Sequence, residues 1–151
     1  MKRFRFPLRP VAVLRAHREA RAREQFATAV QAYVQAEETL SRTRVRMAAL
    51  EAALFSGRSR TYPAAEAALL LSDYRRECAA EVETERAMIA AREEMEKHRA
   101  AYLEAHRQVE VVRRLEDKAR IKHRQETDRE EQAAFDDLAG RRRLKPSFLS
   151  S

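Results

Sequence analysis

The chain has 151 residues, 36% of them Asp, Glu, Lys or Arg, with a net charge of +7 and a sequence pI near 10.1. No run approaches the roughly 18–20 uncharged apolar residues of a membrane span, and the basic start MKRFRFPLRP has no apolar core behind it, which argues against a secretory signal. Cys78 is the single cysteine, so an internal disulfide is excluded and a reduced cytoplasmic setting is expected.

Residues 1–10 form a basic-aromatic segment broken by Pro7 and Pro10; Pro10 suits a first helical turn, where its missing N–H would be unpaired anyway. A helical pattern follows over 11–55, in a chain with only 2 Gly and 4 Pro. Its mark is an apolar seam. Phe26, Tyr33, Leu40, Met47 and Leu54 recur every seven residues, and Ala22, Ala29, Ala36, Thr43 and Leu50 fall between them at alternating steps of three and four. None of these positions is charged, although random placement at 36% would put about three or four charges there. Such a repeat faces one partner helix along its whole length, the condition for a coiled coil. The seam is too narrow to fill a globule, so the sequence predicts a rod that works by contact.

Residues 56–63, Ser-Gly-Arg-Ser-Arg-Thr-Tyr-Pro, are the one turn-rich window of the interior. A second helical pattern runs over 64–139 and meets Gly140, which suits a C-cap. Its seam is Leu70, Tyr74, Thr84, Met88, Ala91, Met95, His98, Tyr102, Ala105, Val109 and Val112, interrupted by Glu77 and Glu81. The short connection favours antiparallel pairing. The fold class is therefore all-α, a long antiparallel two-helix coiled-coil hairpin with unequal arms of roughly 70 and 110 Å. Folding about residue 60 sets Leu54 level with 66, Leu40 with 80, Phe26 with 94 and Val11 with 109. Residues 113–139 then overhang; they must find a partner, self-associate, bend or stand as a solvated helix. Residues 140–151 read as a loosely ordered basic tail carrying Phe148 and Leu149.

Candidate chemistry is sparse. His17, His98, His106 and His123 are scattered; Glu94 and His98 lie four apart, but no zinc-helix arrangement is present. Two glycines 83 residues apart make no phosphate loop, and Ser56 and Ser59 have no neighbouring base. Cys78 sits between Glu77 and Glu81, which disfavours its thiolate. The expectation is a non-enzyme without metal or cofactor.

Basic residues concentrate in 1–23, in 107–124 and in Arg141–Arg143 with Lys145. A phosphate-binding stripe would carry few acids, whereas here Glu and Asp interleave with Arg, so a nucleic-acid partner is not expected. The arginines form a solvated face or a basic end that docks on an acidic protein. Outside the seams, Val45, Phe55, Tyr62, Leu69, Leu71, Val82 and Ile89 mostly lie toward the turn. They either widen the core and staple the loop or offer anchors to a partner.

The opening Lys-Arg-Phe-Arg-Phe-Pro-Leu-Arg-Pro-Val (2–11), followed by Val13-Leu14-Arg15, resembles the N-terminus of the FliJ family of flagellar export proteins. The ending Phe135-Asp136-Asp137-Leu138-Ala139 with its Arg cluster is similar to that family's close. The resemblance covers the whole chain and implies a cytoplasmic protein peripheral to the inner-membrane type III export apparatus. It implies a stalk in the export ATPase hexamer that also contacts the export-gate membrane protein and substrate chaperones. On that reading Arg15, Arg18, Arg113, Arg114, Arg120 and Arg124 are the expected ATPase contacts, and Phe55, Tyr62, Leu69 and Leu71 the expected gate contacts. The alternatives are a stalk protein of a non-flagellar type III secretion system, or a basic structural or nucleic-acid-binding coiled coil.

Overall fold

A computed structural model describes residues 2–57 and 62–143; Arg58 to Thr61 of the expected turn, and 144–151 with Phe148 and Leu149, lie outside the described residues. Two helices, α1 (Arg9–Gly57, 49 residues) and α2 (Ala64–Arg143, 80 residues), pack against each other as a helical hairpin. α1 begins where Pro7 and Leu8 turn the chain: Arg9 N–H donates to Phe6 O at 3.2 Å and Ala12 N–H to Leu8 O at 2.9 Å. Pro10, one residue into the helix, forfeits no hydrogen bond there. α2 opens behind Pro63, whose carbonyl accepts from Glu66 N–H at 3.0 Å and Ala67 N–H at 3.2 Å. Glu66 adds a negative charge to the helix's positive end.

Both helices outrun the sequence boundaries of 11–55 and 64–139. Gly140 is not a C-cap. No glycine among the described residues has a positive φ, and α2 continues through Gly140 to Arg141, Arg142 and Arg143. Arginine is a good helix former, and three cations in the last turn face the helix's negative end, which offsets the cost of about 1 kcal/mol for an internal glycine.

The chain divides into two compact units, Glu19–Ala105 and the pair Met1–Arg18 with His106–Ser151. In the first, Ala29, Leu40 and Thr43 are buried, and Ala22, Phe26, Tyr33, Ala36, Met47, Leu50 and Leu54 are half-buried. On α2, Leu70, Tyr74, Met88, Met95 and Tyr102 are half-buried. Leu40, 3% exposed, contributes on the order of 1.5–3 kcal/mol by burial. Thr43 is 1% exposed, and its hydroxyl is satisfied by donating to Thr39 O at 3.0 Å.

The register differs from folding about residue 60. Phe26 stacks on Tyr102, with ring centroids 6.2 Å apart and planes 5° apart, rather than standing level with residue 94. Arg44 reaches Glu81 at 3.5 Å, which carries Leu40 past residue 80. The connection is asymmetric: Glu51, near the end of α1, meets Tyr74, a full ten residues into α2.

Candidate interaction surfaces

The first unit clasps its seam from one flank. Arg44 pairs with Glu81 at 3.5 Å and Arg46 with Glu77 at 3.2 Å, so the two acids that interrupt the apolar pattern are half-buried and paired. Glu77 Oε1 takes the Arg46 bond, while Oε2 is buried without a hydrogen-bond partner among the described residues. Arg23 lies over the Tyr102 ring at 5.7 Å and Arg92 over Tyr33 at 5.8 Å, covering the ring faces the narrow seam leaves open. Tyr74 donates to Glu51 Oε1 at 2.8 Å; that bond, then Cys78 beside it, pushes the phenol up to about 12.

The second unit contains a segment with no helical period. Residues 2–8 lie against α2: Phe4 meets His123 edge to face at 5.5 Å and 63°, and Arg120 sits over the Phe4 ring at 5.3 Å. Glu116 accepts from Arg120 at 3.1 Å and pairs with Arg9 at 3.7 Å. Val112 is buried; Val109, Glu116, Ala119, His123 and Thr127 are half-buried. The stretch 113–128, expected to overhang, is therefore partly covered, because the N-terminal segment continues beyond the start of α1 along the same face. Lys2, Phe4, Arg120, His123, Arg124, Thr127 and Asp128 line an open cleft of about 320 Å³. From residue 129 to 139 every residue is exposed.

The expected ATPase contacts lie in this second unit. Arg15 is half-buried and donates to Gln108 O at 3.1 Å, so much of its capacity is spent inside the protein. Arg113 pairs with Glu110 at 3.7 Å and Arg120 with Glu116. Arg18, Arg114 and Arg124 are exposed and make no ion pair among the described residues. The expected gate contacts lie in the first unit. Phe55 is 74% exposed and Leu69 66%, Leu71 is exposed, and Tyr62 is half-buried. Phe55 borders a shallow depression with Glu51, Leu54 and Tyr74. Leu69 and Leu71 stand two residues apart, about 200° around a helix, so they serve different faces. Val45, Val82 and Ile89 are exposed rather than core.

Phe4, Arg9, Glu116 and His123 escaped the sequence reading. The signal was there: Val112, Glu116, Ala119 and His123 continue the seam at steps of four, three and four. Two of those positions are polar, which hid the continuation. Among the described residues no three His, Cys, Asp or Glu side chains converge, and no helix is long and apolar enough to cross a membrane.

The N-terminal segment that packs here carries the opening sequence motif, whereas Phe135 to Ala139 of the closing motif stay exposed, and residues 4–146 match the family described as flagellar FliJ protein. The chain belongs to the FliJ family. No curated protein and no solved structure matches it. Membership makes this FliJ-family chain a protein associated with flagellar export. Phe4 of the opening motif is the side chain held between Arg120 and His123.

Proposed function

We propose that this FliJ-family protein is a non-enzymatic, stalk-like partner of the flagellar export ATPase ring, linking it to the export gate and to substrate chaperones at the cytoplasmic side of the membrane. The observation that carries the reading is the exposed arginine group of the termini-bearing unit, Arg18, Arg113, Arg114, Arg120 and Arg124. Exposed cations of this kind attract an acidic ring lining at long range and speed encounter. Single exposed ion pairs are worth about 0–1 kcal/mol, so several must act together. The second attachment rests on the exposed Phe55, Leu69 and Leu71 of the other unit.

The test neutralises Arg113, Arg114, Arg120 and Arg124 to Gln together and measures binding to the ATPase hexamer across a salt series. Affinity should fall and its salt dependence flatten, because screening has less attraction left to remove. Equal affinity for both proteins at every salt concentration removes the basic surface from the mechanism. In parallel, Leu69→Ser with Leu71→Ser should weaken gate binding about tenfold, or roughly 1.4 kcal/mol, with ATPase binding unchanged. Because the two leucines serve different faces, the single variants show which face docks. Binding of duplex or single-stranded nucleic acid below about micromolar at physiological salt would favour the nucleic-acid reading instead.

A further inference from the structure

Beyond Thr127 the face of α2 that His123 and Thr127 help to shield runs on uncovered. Glu131, Phe135, Leu138 and Arg142 follow at steps of four, three and four, and at about 100° per residue they fall within a stripe roughly 60° wide. Phe135 is 67% exposed and Leu138 57%. Glu130, Glu131, Arg141, Arg142 and Arg143 make no ion pair among the described residues, whereas Asp136 is held by Gln132 at 3.2 Å. The order along the stripe is acid, apolar, apolar, base. We propose that this end of α2 recognises a second copy of itself, two chains pairing antiparallel about a two-fold axis between Asp136 and Asp137.

That axis sets Phe135 against Leu138 of the second copy and Glu131 against Arg142 of the second copy, each contact occurring twice. A two-fold contact requires one patch to be its own complement, and the stripe has that property. Parallel pairing would set Glu131 beside Glu131 and Arg142 beside Arg142, which like charge opposes. The stripe spans about 16 Å of helix, a small interface, so the association is weak, with a Kd on the order of 100 µM. The inference does not depend on the export reading.

Sedimentation equilibrium of the full chain, from about 5 to 500 µM at low salt, should show the mass rising from 17.5 kDa toward twice that value. Phe135→Ser with Leu138→Ser should leave a monomer of unchanged helicity. Glu131→Arg alone and Arg142→Glu alone should each weaken pairing about tenfold, since each places like charges opposite one another twice. Combining the two exchanges the charges within the stripe and should restore pairing to within about threefold of wild type. A wild type that stays monomeric throughout overturns the proposal. So does pairing that survives loss of both apolar residues, or a combined charge exchange no tighter than either single variant.

Discussion

The two units solve one packing problem with different materials. Between Glu19 and Ala105 both partners are helices, and the shielded stripe is mainly Ala, Leu, Met and aromatic, with Glu77 and Glu81 held by Arg46 and Arg44. Between residues 2–18 and the distal part of α2, the partner begins as a non-helical segment, and the shielded positions include Arg15, Glu116 and His123. An aromatic ring between a guanidinium and an imidazole does there what Leu and Ala do elsewhere. Periodic apolar burial gives cooperativity, because each residue supports the next turn; a polar, partly non-helical contact can open locally while the rest stays folded.

The sharpest break of that contrast is Leu40→Asp, which puts an unpaired charge at a position 3% exposed. It should cost about 3 kcal/mol or more, a large part of the stability of a narrow helical pair. Circular dichroism should show lower helicity or a much lower Tm; an unchanged melt would mean the first unit does not rest on its apolar stripe.

Phe4→Ala should be smaller and local. A half-buried ring contributes on the order of 1–2 kcal/mol, and its loss uncovers His123 and removes the ring beneath Arg120, which keeps its pair with Glu116. Amide exchange should quicken around 116–127 while the main thermal transition barely moves. If the whole melt shifts as far as for Leu40→Asp, the two units are one cooperative block and the contrast fails.

The smallest effect is a titration. Tyr74, protonated and donating to Glu51, keeps its proton up to about 12, while the unfolded chain loses it near 10.0. A raised phenol of this kind contributes stability that is complete below pH 10 and is lost as pH rises toward 12. Ultraviolet titration should show a late tyrosinate in wild type that Tyr74→Phe removes, and the wild-type Tm should fall more steeply across that window. A titration that Tyr74→Phe leaves unchanged above pH 10 would sever Tyr74 from Glu51.

The hairpin was legible because the uncharged step from Phe26 to Leu54 leaves one partner geometry open, and a second helix with the same step follows one turn later. Its register was not, since the midpoint of a turn says nothing about how many residues of α2 pass before Tyr74 meets Glu51. The role of residues 2–8 was illegible for a different reason. A non-helical segment leaves no helical period, and Phe4 shows its purpose only when Arg120 and His123, more than a hundred residues away, are beside it. Family resemblance pointed to the opening segment without saying what it packs against.

Gly140 sits inside α2 with helical backbone angles, and a Cβ there would meet nothing within 4 Å. Glycine at an open helical site is the least favoured residue type in α2, because the unfolded chain has more freedom to lose there than with alanine. Arg141, Arg142 and Arg143 are presented in helical geometry just beyond it. Gly140→Ala should make that presentation more persistent, at a gain of about 0.5–1 kcal/mol in local helix stability, read as slower amide exchange over 137–143. One methyl group would thus tune how long three cations stay aligned.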